Sequence, residues 1–147
     1  MARSKKRSGS SDTPKPPDRL VYFIDRCLGR HDFPRPLIDA GLLVELHDDH
    51  FAPDCRDEDW LSEIGRRGWI VITRDLRIRY RAVEREAVFS NGARVISLTA
   101  RHFSAAELGR AFVLAVGTVE RFVSITPGPF IATMTRSGSI RVVSDLR

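Results

Sequence analysis

The stretch DEDWLSEIGRRGWIVITRD, residues 57–75, carries two periodicities in succession. Trp60, Leu61 and Ile64 recur at helical spacing behind an acidic opening, Asp57-Glu58-Asp59, and predict an amphipathic helix from Asp57 to Arg67. Gly68 ends that helix, and WIVIT (69–73) is an apolar, β-branched run with the composition of a strand buried on both faces. A helix feeding directly into such a strand is the crossover unit of a parallel α/β sheet.

The same alternation extends in both directions. LVYFID (20–25) reads as a first strand, followed by a short helix near 33–40 with Pro34 and Pro36 in its first turn and Gly41 at its end. LLVELH (42–47) reads as a second strand and DDHFAPDCR (48–56) as a polar loop. Beyond Asp75 an arginine-dense run turns helical over 80–90, Asn91-Gly92 makes a turn, and ARVISLT (93–99) is a fourth strand. Ser104 and Glu107 form a capping box that opens a helix running to about Val123, with Leu108, Ala111, Phe112, Ala115, Val119 and Phe122 on one face. After Pro127 and Pro129, FIATM (130–134) and IRVV (140–143) form a C-terminal β-hairpin. The expected fold class is α/β: a three-layer α/β/α sandwich with a mainly parallel central sheet plus that hairpin.

Composition bounds the function. The 147 residues suit a single domain, and 42% hydrophobic content is that of a globular chain. No stretch reaches the ~18 uninterrupted apolar residues that a membrane span needs. The net charge of +5 is unevenly spread: residues 1–19 carry +4, leaving 18 basic and 17 acidic groups in the rest. The overall basicity therefore belongs to the leader and not to the domain. Residues 1–19 lack the apolar core of a secretory signal and are too polar to fold, so a disordered basic tail precedes a domain at 20–147. Such a tail either raises affinity for phosphate backbones or simply keeps the chain soluble. Two cysteines, Cys27 and Cys55, make no disulfide framework and suit a reducing cytoplasm.

Ligands of open parallel sheets bind beyond the carboxyl ends of the strands. There the first strand ends at Asp25, the second runs into His47, Asp48 and Asp49, and the third into Thr73, Arg74 and Asp75. The helix between the second and third strands would begin at Asp57 on the same edge. Converging carboxylates repel one another, and the usual resolution is a hard divalent cation, Mg²⁺ or Mn²⁺, on oxygen ligands. Each acid also has a purely structural reading: Asp57 as a helix N-cap, Asp25 as the cap of the next turn, Asp75 as a local partner of Arg74 or Arg77. Taken singly these readings are the stronger ones; three strand-edge acids in one short domain shift the balance toward a site.

FID (23–25), the stretch 57–75 and the strand ARVISLT together resemble the PIN-like nucleases, and within them the VapC-type toxins. The resemblance covers most of residues 20–125 in element order. It matches the family's first aspartate to Asp25, a helix-opening aspartate to Asp57, and the third to Asp75 in Thr73-Arg74-Asp75. A family glutamate between the first two aspartates has Glu45, Asp48 and Asp49 as its candidates here. The resemblance implies a metal-dependent endoribonuclease, the toxin of a type II toxin–antitoxin pair, with an antitoxin partner and a homodimer as further expectations. Asp25, Asp57, Asp75 and Thr73 would be catalytic. Asp25, Asp57 and Asp75 would hold one or two Mg²⁺ or Mn²⁺ ions, with Asp48, Asp49, Glu58 and Asp59 as additional ligand candidates. Arg74, Arg77 and Arg79, with Arg81 beside them, would meet RNA phosphates, arginine being suited to bidentate contacts; singly, each also reads as part of a solvated helix start.

The competing reading is a PIN-like fold kept as a non-catalytic protein- or RNA-binding module. His47, His50 and Cys55 invite a zinc reading, but no fourth ligand stands at ordinary spacing, and loop histidines held by hydrogen bonds are preferred. Cys27 reads as a small buried hydrophobe. A dehalogenase-like phosphatase would require an aspartate where Cys27 stands, and a receiver domain an acidic pair before Asp25.

Overall fold

A computed structural model describes residues 19–145, so that residues 1–18 of the expected basic tail lie outside the described residues. The elements in chain order are β1 (Val21–Ile24), α1 (Pro34–Asp39), β2 (Leu43–Leu46), α2 (His47–His50), α3 (Asp57–Arg67), β3 (Ile70–Thr73), α4 (Ala82–Ser90), β4 (Arg94–Leu98), α5 (Ala105–Leu114), α6 (Val116–Ile125), β5 (Phe130–Met134) and β6 (Ile140–Asp145). Short 3₁₀ turns at Arg26–Leu28 and Ile78–Tyr80 follow β1 and β3. The strands form one sheet in the order β2-β1-β3-β4-β5-β6. Its first five strands are parallel, and β6 returns antiparallel to β5 as the expected hairpin.

Strand alternation divides the core in two. Tyr22, Ile24, Ile70, Ile72, Ile96, Phe130 and Ala132 face α1, α5 and α6, meeting Phe33, Leu37, Leu108, Phe112, Val119 and Val123. Phe23, Val71, Val95 and Ile131 point the opposite way, against Trp60, Leu61 and Ile64 of α3 and Ala87 and Val88 of α4. Helices on both faces of one sheet make the three-layer α/β/α sandwich. Each side chain buried this way stabilises by roughly 1.5–3 kcal/mol before entropy is counted, so the two apolar faces fix the strand register. Gly68 closes α3 in the left-handed region at φ 76°, where a side chain would be strained, and returns its N–H to Ile64 and Gly65.

Four local expectations are corrected. Residues 47–50, expected as the end of a strand and the start of a loop, form the helical turn α2, because buried His47 anchors it among Phe23, Phe51 and Trp60. The helix expected over 104–123 breaks at Ala115 into α5 and α6. The poor helix formers Val116, Gly117 and Thr118 follow that break directly. Asp57 is the first helical residue and not the cap; Arg56 holds the N-cap position without a side-chain bond. Asp25 occupies the N-cap of the turn after β1 but makes no capping bond there. The Ser104–Glu107 capping box forms as expected, with both reciprocal bonds.

Candidate active site

The parallel register brings three chain segments to one edge. Ile24 pairs with Ile72, and the N–H of Asp25 donates to Ile72 O at 3.0 Å, extending the ladder one residue past β1. Asp25 and Thr73 therefore end adjacent strands. Thr73 Oγ1–H donates to Asp25 Oδ2 at 2.7 Å, and Thr73 Oγ1 in turn accepts the N–H of Asp75 at 3.0 Å. One buried hydroxyl thus fixes the first carboxylate and the start of the following turn.

Asp25, Asp57 and Asp75 line a single cleft of about 720 Å³ at this edge, together with Cys27, Arg74, Arg77, Arg81 and Arg101. The Asp25 carboxyl is pushed above its ordinary value, chiefly by loss of water and further by the charge of Asp57. Hydrogen bonds from Thr73 and Cys27 pull it partly back. Asp57 accepts the indole N–H of Trp60 at 2.9 Å, so a core residue of α3 orients the carboxylate that opens that helix. Asp75 is neutralised by Arg81, whose guanidinium reaches Oδ2 at 2.7 Å and Oδ1 at 3.2 Å. The local partner expected for Asp75 was Arg74 or Arg77. Arg77 contributes only its backbone N–H, at 2.9 Å, and Arg74 turns instead to the carbonyls of Arg101 and Phe103.

Several sequence candidates lie elsewhere. Asp48 pairs with Arg26 at 2.7 Å and is held below the usual carboxylate range by that bond; Asp49 pairs with Arg30. Glu58 and Asp59 both pair with Arg56. None of these four lines the cleft, because each projects from its helix toward a neighbouring arginine. Arg79 also stays out of the cleft, its guanidinium lying over Tyr80. His50 bonds Glu45 at 2.7 Å, and His47 is packed among rings.

Two cleft residues escaped the sequence reading. Cys27, expected as a buried hydrophobe, is exposed. Its thiol donates to Asp25 Oδ2 at 3.5 Å, lies 3.4 Å from Thr73 Oγ1, and accepts the N–H of Arg74 at 3.3 Å. Loss of water around the sulfur, with Asp25 beside it, pushes the thiol up to about 11, so it serves as a hydrogen-bonding neutral group. Arg101 follows the end of β4, where the strand-end rule applied to the first three strands would have found it.

The donor set is selective about a cation. Among the described residues, no three His, Cys, Asp or Glu side chains converge tightly enough to hold an ion on their own. Among the described residues neither Asp25 nor Asp57 is in an ion pair with arginine, and the charge of Asp57 raises the cost of ionising Asp25, which a divalent ion would relieve. Mg²⁺ keeps several waters and takes only one or two carboxylates, so this pair fits it; Asp75 would join only after releasing Arg81.

The chain belongs to the PIN-like domain family, whose model ("PIN like domain") matches residues 20–100. A relative from Mycobacterium tuberculosis (strain ATCC 25618 / H37Rv), named "Putative ribonuclease VapC45", is 31% identical over 125 residues, covering 82% of this chain and 90% of that protein. This likeness places the chain beside the VapC-type members of the family. No solved structure matches the chain. Among the described residues, no helix is long and apolar enough to cross a membrane.

Proposed function

We propose that this protein is a divalent-cation-dependent endoribonuclease that hydrolyses RNA phosphodiester bonds, acting in the cytoplasm as the toxin of a toxin–antitoxin pair. The observation that carries the reading is the meeting of Asp25, Asp57 and Asp75, from the end of β1, the start of α3 and the end of β3, in one arginine-rimmed cleft. The ribonuclease name of the Mycobacterium tuberculosis relative supports the substrate class.

Asp25 and Asp57 would hold the cation, with Asp75 joining them as Arg81 swings away. When bound, Mg²⁺ or Mn²⁺ supplies Lewis-acid polarisation of the phosphate and a lowered water pKa. Thr73 and Cys27 would hold the Asp25 carboxylate in place through its Oδ2. Arg77 and Arg101 would take the non-bridging phosphate oxygens, and Arg74 braces the loop that carries Arg101. The antitoxin and a homodimer belong to this proposal by family resemblance.

Cleavage of a mixed single-stranded RNA by the full chain in Mn²⁺ tests the reading, with EDTA, Asp25→Asn and Asp57→Asn beside it. Cutting that disappears in all three controls is expected. Absence of cutting, together with no Mn²⁺-induced rise in melting temperature, would overturn it in favour of a non-catalytic binding module. The Asp75–Arg81 pair is the observation that favours that second reading, since it leaves the third carboxylate neutralised without any ion.

A further inference from the structure

The sheet edge does not stop at the carboxylates. Arg74 donates to the backbone oxygens of Arg101 at 3.2 Å and Phe103 at 3.4 Å, pinning the loop between β4 and α5. On that loop the Phe103 ring carries the guanidinium of Arg136, whose Cζ lies 4.4 Å from the ring centroid. Arg136 stands on the β5–β6 turn and, with Arg110 of α5, lines a second groove of about 790 Å³. Leu98 borders both the carboxylate cleft and the small opening beneath Arg136, and Arg136 also lines the second groove, so the two grooves are neighbours on this side of the molecule.

Arginines outnumber acids along this path. Arg26, Arg56, Arg66 and Arg67 are tied to carboxylates, whereas no ion pair among the described residues engages Arg77, Arg101, Arg110 or Arg136. The one acid in the second groove, Glu107, accepts the N–H of Ser104 at 2.8 Å, and that bond holds its carboxylate below the ordinary range. Arg110 and Arg136 also lie within reach of its charge, which leaves two guanidiniums to one carboxylate and an excess of positive charge in the groove.

We propose that the groove between α5 and the β5–β6 turn is a second, non-catalytic subsite for single-stranded RNA, seating the strand as it leaves the carboxylate cleft. Arg110 meets a backbone phosphate, and the Arg136 guanidinium, stacked on Phe103, offers its outer face to an unpaired base. Stacking on arginine planes and aromatic rings is how unpaired bases are held without sequence preference. A protein segment is less well matched, because the groove offers Leu114, 89% exposed, as its main large apolar contact. The subsite extends the cleft's proposed substrate and rests on that reading.

Binding of fluorescent 4-nucleotide and 12-nucleotide RNAs to the full chain, across a salt series, tests it. On single strands each phosphate contact adds about 0.7 to the slope of log K against log salt. Arg110→Ala should therefore lower that slope by about 0.7 for the 12-mer and its affinity by about fivefold near 0.1 M salt, whereas Arg136→Ala should weaken the 12-mer with little change in slope. With either variant the 4-mer should bind, and be cut in Mn²⁺, as by the wild type. Arg136→Lys, which keeps the charge but loses the planar guanidinium, should weaken the 12-mer as Arg136→Ala does. Unchanged 12-mer binding, or an equal loss for both lengths, would overturn the subsite, as would retained RNA binding alongside loss of a co-purified protein partner. Loss of 12-mer binding in these variants of a chain that never cuts RNA would uphold the subsite and refute the nuclease.

Discussion

Replacing Arg81 by glutamine separates a metal ligand from a structural anchor at Asp75. Arg81 is 35% exposed and grips Asp75, 25% exposed, with two nitrogens while also reaching Glu84 at 2.9 Å. Both carboxylates raise the guanidinium's pKa, Asp75 most, so the charge never leaves. Half-exposed ion pairs contribute roughly 0.2–1 kcal/mol, and the two-pronged geometry puts this one near the top of that range. Opening a contact worth about 1 kcal/mol leaves Asp75 available only about one time in five, and a ligand that needs the open form binds about fivefold more weakly for it. Arg81→Gln should accordingly tighten Mn²⁺ binding about fivefold, measured by calorimetry without RNA. The cation-free protein should melt about 4 °C lower, the effect of ~1 kcal/mol in a domain of this size. Arg81→Lys, which keeps the charge but loses the fork, should fall between. A lower melting temperature with Mn²⁺ affinity unchanged would refute the reasoning and leave Asp75 as an anchor for the turn after β3.

The remaining predictions concern the other carboxylate and the frame. Asp25 has its carboxyl raised in the folded state, so its stabilising contribution is full below the unfolded value near 3.8 and is lost as pH rises through the folded one. Cation-free Asp25→Asn should therefore gain melting temperature over the wild type as pH climbs from about 4 to about 7; a difference flat with pH would contradict the assigned burial. Thr73→Val should drive the Asp25 carboxyl higher still and shift the acidic limb of Mn²⁺ binding upward, while Thr73→Ser keeps the wild-type profile. Gly109→Ala would set a Cβ 2.5 Å from the Phe33 carbonyl oxygen, where α5 meets the start of α1. It should destabilise the fold by about 1–3 kcal/mol in a urea melt, and a neutral result would mean that α1 yields freely.

The two faces of the sheet were legible because each strand declares itself by a short β-branched run and each helix by apolar spacing. WIVIT preceded by an amphipathic helix that ends at Gly68 admits few other folds. The strand-end aspartates were legible for the same reason, since parallel order turns strand ends into neighbours. What stayed hidden was decided by partners distant in sequence. Nothing local tells Asp75 to take Arg81 over Arg77; the turn at Ile78–Tyr80 does that by bringing residue 81 back over the cleft. Asp48 and Asp49 looked like ligand candidates until Arg26 and Arg30, from the turn after β1, reached them. Cys27 had an apolar reading in isolation and gained a polar one only when Thr73 and the Arg74 N–H arrived from β3. The break at Ala115 followed from weak propensity at Val116-Gly117-Thr118, outweighed in the sequence by a continuous apolar face.

Carboxylates and guanidiniums sharing one cleft also predict how its two ligands cooperate. In the free protein Asp75 and Arg81 satisfy each other, so each withholds the other from its outside partner. A cation that draws Asp75 away leaves Arg81 free for a phosphate, and a phosphate that takes Arg81 leaves Asp75 free for the cation. Each ligand then spares the other the cost of opening the same pair, and thermodynamic reciprocity requires both affinities to rise by one common factor. With the contact worth about 1 kcal/mol, that factor is about five. Mn²⁺ binding to the chain with and without a non-cleavable RNA, and RNA binding with and without Mn²⁺, should give the same number. In Arg81→Gln the pair no longer exists to be opened, and the share of coupling that it supplies should vanish from both measurements together. Coupling that persists undiminished in the variant would mean that cation and strand meet directly in the cleft and that the Asp75–Arg81 pair is a bystander.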